Sequence, residues 1–141
     1  MRVVIDTNVL VSAALSQRSV PARIFKLFEQ GTFELLLSEA IFEEYAIALQ
    51  YDRIRKRHNL TNDQLQQLLN DLRSAAILVK PTATLTIMVS DPDDNKFFEC
   101  ALEGGAQFIV SGDAAVQAVR QYQEIQVLSP TVFLAMLEQS I

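Results

Sequence analysis

Short β-branched runs alternate with amphipathic segments along the whole chain, and this alternation constrains the fold more than any other feature. Val3-Val4-Ile5, Phe33 to Leu37, Ile77 to Val79, Phe108-Ile109-Val110 and Ile125 to Leu128 are apolar runs of strand length, and each reads as a buried strand. Helical periodicity fills the intervals. Residues 20–30 place Ile24, Leu27 and Phe28 on one face, and Gly31 supplies the stop. Ser38 is a cap for a helix over 39–50. Thr61 with Gln64 has the form of a capping box, opening a helix with Leu65, Leu68, Leu69 and Leu72 on one face. Asp91-Pro92 reads as cap and first residue of a helix reaching Glu103, and Ser129-Pro130 opens a last helix with Val132, Phe133, Met136 and Leu137. Thr82 to Ser90 reads either as a strand or as an extended connection.

Alternation of this kind predicts an α/β fold in which helices cover both faces of a parallel sheet. The chain has 141 residues, half of them hydrophobic, which is material for one domain with a real core and too little for two. No internal repeat, low-complexity tract or linker interrupts it. The lone cysteine, Cys100, excludes an internal disulfide and fits a reducing compartment. The opening MRVVIDTNVLVSAAL lacks a basic leader, and Asp6 breaks its apolar run. It reads as neither signal peptide nor membrane span, so a soluble, cytoplasmic protein with no membrane partner is expected.

The acidic residues carry the chemistry. Twelve basic residues face 17 acidic ones, a net charge of -5. That balance argues against nucleic-acid binding by bulk charge alone, but not against an enzyme whose bound cations offset its carboxylates. Asp6 follows a strand directly and Asp113 follows another within three residues. In open α/β folds the carboxyl ends of strands are where ligands bind. Each has a structural alternative: Asp6 as the start of an Asx turn, Asp113 as an N-cap. Glu44 borders the inward stripe of Ile41, Tyr45 and Ala48, while Glu39 and Glu43 point to solvent. A carboxylate at a core edge needs a metal or a basic partner. Asp94 lies on the face of Phe97, Phe98, Ala101 and Leu102, with Asp93 one step around the helix. Asp91 sits at the expected cap position.

Four converging acids repel one another unless a cation is present. Hard oxygen ligands without a cysteine or histidine cluster select Mg2+ or Mn2+ over zinc. The same acids are able to hold two ions for phosphodiester hydrolysis. His58 stands among Arg53, Arg55, Lys56 and Arg57 and reads as a surface phosphate contact or a solvated face. That basic run, with Arg18, Arg23 and Lys26, is either a rim that grips phosphates or a solvated helix end. Cys100 lies among apolar residues and reads as a core thiol. The four glycines form no glycine-rich phosphate loop, and with one histidine and a core cysteine no Ser-His-Asp or Cys-His nucleophile is expected.

The opening VVIDTNVLVSA, the segment SEAIFEEYAIAL, the segment DPDDNKFFECAL and the strand end FIVSGD stand in the order seen in PIN-domain nucleases, and the chain resembles that family over nearly its whole length. The resemblance implies a three-layer α/β/α fold with a central, mostly parallel sheet, and Asp6, Glu44, Asp94 and Asp113 as the metal-binding, catalytic acids. Asn8 matches the position that braces the first aspartate, and Ser111 stands where the family often has threonine. Asp91 is left as either a cap or an acid reaching the metal through water. The DPDDN form and compact length are similar to the toxin components of bacterial type II toxin–antitoxin pairs, implying a metal-dependent endoribonuclease with an antitoxin partner. Related domains process RNA, and a catalytically silent PIN binding module is a further alternative. The resemblance also implies a homodimer, its apolar patch on Phe42–Ile47 or Leu65–Leu72. A phosphoacceptor receiver-like module would need a lysine after a late strand, where this chain has Ser129-Pro130-Thr131.

Overall fold

The computed structural model describes residues 1–140. In chain order its elements are β1 (Arg2–Ile5), α1 (Thr7–Leu15), α2 (Val20–Glu29), β2 (Glu34–Leu37), α3 (Glu39–Leu49), α4 (Asp52–His58), α5 (Asn62–Ala75), β3 (Ile77–Leu78), α6 (Asn95–Gly104), β4 (Phe108–Val110), α7 (Ala114–Gln117), β5 (Gln121–Tyr122), β6 (Ile125–Leu128) and α8 (Pro130–Ser140). A turn of 3-10 helix at Pro92–Asp94 leads into α6.

The five apolar runs all form strands. The sheet order is β3-β2-β1-β4-β6-β5. Every pair is parallel except β5 with β6. Val3, Val4, Ile5, Leu35, Leu36, Leu37, Ile109 and Val110 have no exposed surface, as expected of parallel strands covered on both faces. Burying each such side chain contributes about 1.5–3 kcal/mol. The chain passes from β1 through α1 and α2 to β2, and from β3 through α6 back to β4 on the other side of β1. Right-handed crossovers then put α1 and α2 on one face and α6 on the other. This is the three-layer α/β/α arrangement.

Local signals set the helix ends. Ser38 Oγ accepts from the Ile41 amide at 3.3 Å, capping α3. Both bonds of the Thr61–Gln64 capping box are present at the start of α5. Gly31, at φ 82°, follows α2, and Gly105, at φ 68°, closes α6, conformations that cost glycine little. At Gly104 a Cβ would stand 2.4 Å from a Leu36 methyl and 3.0 Å from one of Val79. The hydrogen side chain there lets α6 lie close on the sheet.

Several expectations need correction. α1 and α4 had no counterpart among the elements read from the sequence, and neither had β5. Thr82 to Ser90 is no strand. It is an extended strap held by side chains of α6: Glu103 accepts from the Thr82 amide (3.0 Å), Glu99 from the Leu85 amide (2.8 Å), and Asn95 from the Met88 amide (2.7 Å). The Leu65–Leu72 stripe, considered for a dimer interface, is largely consumed by the core, with Leu65, Leu69 and Leu72 buried. His58 is not a solvated side chain. It is buried, Nε2 bonds the Leu49 carbonyl at 3.0 Å, and Nδ1 accepts the Leu60 amide at 3.0 Å. It ties the end of α4 to α3. Among the described residues, no helix is long and apolar enough to cross a membrane.

Candidate active site

The chain leaves β1 in one direction toward β2 and returns on its other side at β4. The crevice beyond the carboxyl ends of β1 and β4 is therefore the switch point where ligands bind in open α/β sheets. Ile5 is in register with Val110, and the Asp6 amide bonds the Val110 carbonyl at 2.9 Å, which brings Asp6 beside Ser111. Fully buried Ser111 donates its hydroxyl to Asp6 Oδ2 at 2.6 Å and accepts the Asp113 amide at 3.0 Å. One hydroxyl thus links the two strand-end aspartates. Asn8 Nδ2 makes a long contact with the same Asp6 oxygen, 3.5 Å, and Asn8 Oδ1 accepts the Gly112 amide at 3.2 Å. The Asp6 carboxylate makes no bond that caps α1. Asp113 Oδ2 accepts from the Val116 amide at 3.2 Å, so Asp113 does cap α7 while facing the same crevice edge.

The other two acids arrive on helices. Tyr45, without exposed surface, donates its hydroxyl to the Ile5 carbonyl, fixing α3 against the end of β1. The preceding residue, Glu44, is held at the crevice by that contact. Thr7 donates its hydroxyl to Glu44 Oε2. Lys96 Nζ bonds Glu44 Oε1 at 3.0 Å and Asp93 Oδ2 at 2.9 Å. The basic partner weighed as an alternative for Glu44 is therefore present. Glu43 is exposed, and Glu39 pairs with Arg73 away from the crevice, so the helix phase inferred from the sequence is right.

Asp94 is half-buried, and its carboxyl is pushed up to about 7. Burial is the main cause, followed by the negative charges of Asp6, Asp91, Asp113 and Glu44. Asp6 is also raised, by burial first. The Ser111 hydrogen bond opposes that rise and the Glu44 charge adds to it. Asp93 moves the other way, lowered by its hydrogen bond to Lys96. The Lys96 ammonium is raised, since its bonds to Asp93 and Glu44 outweigh its burial. Asp91 takes the N-cap position of the 3-10 turn with Pro92 as its first residue, as read from the sequence, but it is exposed and its side chain makes no capping bond. Its carbonyl accepts the Asp94 amide at 3.1 Å, and its charge acts on Asp94.

The chemistry of this donor set fits a hard divalent cation. It is all oxygen, and the two acids most buried in it, Asp6 and Asp94, are both raised by burial and by neighbouring carboxylates, which a divalent cation would offset. A closed cage is not preformed: among the described residues, no three His, Cys, Asp or Glu side chains are gathered tightly enough to hold an ion. Beside Glu44 and Lys96 runs an open groove of about 730 Å³, bordered by Asp93, Ile47 and Tyr51. A second, more apolar hollow of about 880 Å³ lies among α1, α2 and α5, and none of the four acids lines it.

The basic residues lie on two helices, α2 and α4, and at Arg18 just before α2. Arg53, Lys56 and Arg57 are exposed on α4, and Arg55 bonds Asn62. Arg23 pairs with Glu138 at 3.6 Å, and Lys26 borders the second hollow. Sequence reasoning missed Lys96 and Thr7. Lys96 had one signal, its place three residues after Asp93 in an acidic turn. Thr7 had none, because its partner lies 37 positions away. Cys100 is a core thiol as expected. Burial pushes it up to about 12 against the lowering effect of a Ser38 hydrogen bond.

The family described as the PIN domain matches residues 2–115. The chain is also 28% identical over 120 residues to MJ1680, an uncharacterized protein of Methanocaldococcus jannaschii, covering 85% of this chain and 76% of that protein. The PIN domain is a nuclease-type fold whose enzymes generally depend on divalent metal. A match over most of the length leads to one conclusion: this chain belongs to the PIN-domain family.

Proposed function

We propose that this protein is a metal-dependent endoribonuclease, with Asp6, Glu44, Asp94 and Asp113 holding Mg2+ or Mn2+. The observation that supports the reading is placement: Asp6 and Asp113 share the Ser111 hydroxyl at the ends of β1 and β4, Glu44 is held against the end of β1, and the charges of all three act on the half-buried Asp94 carboxyl. A bound divalent ion supplies an activated water and charge stabilisation at the phosphate. The residues of the chain do the rest. Ser111 fixes the Asp6 carboxylate in one orientation, and its acceptance of the Asp113 amide sets the turn after β4. Tyr45 and Thr7 hold Glu44 against the end of β1. Asn8 and Asp91 are outer partners of Asp6 and Asp94. Arg53, Arg55, Lys56 and Arg57 on α4 follow directly on Tyr51, which borders the groove beside Glu44, and offer phosphate contacts for single-stranded RNA.

The biological assignment we favour is the toxin of a type II toxin–antitoxin pair, acting in the cytoplasm as a homodimer and silenced by a small antitoxin. It rests on the DPDDN segment. For the dimer, Ile47 and Tyr51, each 51% exposed on the α3–α4 corner, are the candidate apolar contacts. Expression in a bacterial host should arrest growth, and Asp6→Asn should abolish the arrest. A non-cutting PIN module is the second reading, favoured by the Lys96 ion pair that already occupies Glu44. Labelled single-stranded RNA separates the two. Cleavage with Mg2+ or Mn2+ and none with chelator supports the nuclease. Calcium, which takes looser geometry, should bind without efficient cutting. Undiminished cleavage in excess chelator contradicts the metal mechanism, and no cleavage with either metal favours the silent module.

A further inference from the structure

Lys96 occupies a position that its own helix disfavours. It is the second residue of α6, where the helix dipole and unpaired amides repel a cation, and lysine belongs by preference at the other end. Its side chain is only 14% exposed, so the ammonium has also given up much of its water. Both costs are offset by two carboxylates: Glu44 Oε1 at 3.0 Å and Asp93 Oδ2 at 2.9 Å. With Thr7 on Oε2, each oxygen of Glu44 already has a donor. Asp6 is held instead by neutral groups, and Asp113 caps α7 through a backbone amide. Among the described residues, Lys96 is the one cation paired with any acid of the site.

We propose that Lys96 is a positioning residue, a tethered cation that holds Glu44 at the crevice in the metal-free protein and competes with the divalent ion for that carboxylate. The inference rests on the reading of Glu44 as a metal ligand. An ammonium fixed on Glu44 orients it but cancels one unit of the negative charge that attracts the ion. The site is thereby kept assembled without metal, and its affinity for metal is set lower than four unpaired acids would give. The Lys96–Asp93 bond gives the ammonium a resting partner when Glu44 turns to the ion. Asp93, 70% exposed at its side chain, is suited to that and not to ligation.

The test is a Mn2+ titration of the purified full chain, reading free Mn2+ by electron paramagnetic resonance, with melting curves in chelator. Four proteins are compared: wild type, Lys96→Met, Lys96→Arg and Asp94→Asn. Removing one positive charge a few ångströms from a divalent ion should tighten Mn2+ binding on the order of tenfold in Lys96→Met. The same variant should melt lower than wild type in chelator. Lys96→Arg keeps the charge and should stay within about twofold of wild type. If Lys96→Met fails to fold in chelator, Lys96→Gln read at subsaturating Mn2+ gives the same comparison. Unchanged or weaker Mn2+ binding in Lys96→Met or Lys96→Gln overturns the proposal, because a residue that merely supports the fold would give that result. If wild type binds no Mn2+, or Asp94→Asn binds it equally well, the metal-site reading itself fails and takes this inference with it.

Discussion

Asp6, nearly buried, is held by neutral donors, whereas Glu44, whose side chain is 27% exposed, is held by a charge. The difference separates two ways of building one acidic edge. A hydroxyl or an amide fixes a carboxylate and leaves its charge for a ligand. An ammonium fixes it and cancels the charge. The strand-end half of the site, Asp6 with Ser111 and Asp113, is accordingly a fixed negative template set by sheet register. In the helix half, Lys96 pairs with both Glu44 and Asp93 beside Asp94, and under the proposal made for Lys96 its geometry depends on which cation Glu44 holds.

The comparison breaks first if the two halves are not one site. Asp6→Asn and Asp113→Asn on the strand ends, and Glu44→Gln and Asp94→Asn on the helices, should each reduce RNA cleavage by more than the roughly 10–100-fold usual for loss of an outer partner. Glu39→Gln and Glu43→Gln should leave cleavage near wild type, since one pairs with Arg73 and the other is exposed. Initial rates at saturating Mn2+ measure this. An essential Glu43 beside a dispensable Glu44 would invert the geometry of α3.

A smaller effect sharpens the contrast within the strand-end half. Ser111→Ala removes the 2.6 Å bond to Asp6 and the acceptor of the Asp113 amide. It should lower cleavage about 10–100-fold and destabilise the fold by about 1–3 kcal/mol. Asn8→Ala loses a longer contact, 3.5 Å, and should sit at the low end of that activity range with little change in stability. Ser111→Thr, which keeps the hydroxyl, should retain activity. Urea midpoints and cleavage rates together decide whether the hydroxyl or the amide orients Asp6.

The third effect is the pH dependence of the metal-free protein. Asp94 moves from 3.8 in the unfolded chain to about 7 in the fold. Between those values the native state binds a proton that the unfolded chain has released. Stability therefore falls as pH rises from about 4 through about 7. Asp6 contributes with the same sign. Asp93, lowered by Lys96, contributes oppositely, but only below its ordinary 3.8. Asp94→Asn should flatten the wild-type slope across this window in chelator. Equal slopes for the two proteins would show that Asp94 does not feel the other acids.

Much of this edge was legible because it depends on local rules. A strand of Val, Val and Ile ended by Asp6 fixes where that acid stands. Helical period puts Glu44 inward and Glu43 outward, and the Thr61–Gln64 and Ser38 caps set two helix starts. The illegible parts depend on contacts between distant segments. The helix Thr7–Leu15 hides in a continuous apolar run, where Val9 and Leu10 are buried but no polar face marks the period. His58 looked solvated among four basic neighbours, yet the helix turns it inward onto Leu49. The Thr82–Ser90 strap takes its shape from Asn95, Glu99 and Glu103, spaced four apart on α6, and has no strand partner of its own. Lys96 reaches Glu44 across 52 positions, and its pairing became readable only once α3 and α6 stood side by side.

The central claim is that the four carboxylates form one metal-binding site under mutual repulsion. Melting curves of wild type and Asp94→Asn, each with saturating Mg2+ and with chelator, test it most directly. In chelator Asp94→Asn should melt above wild type, because an amide relieves the crowding that raises Asp94. One ion at about 100 times its dissociation constant adds about 2.7 kcal/mol to wild type, a rise of roughly 5–10 °C for a domain of this size. Asp94→Asn, lacking a ligand, should gain far less. If Asp94→Asn melts below wild type in chelator and Mg2+ shifts both equally, the acids do not form one site.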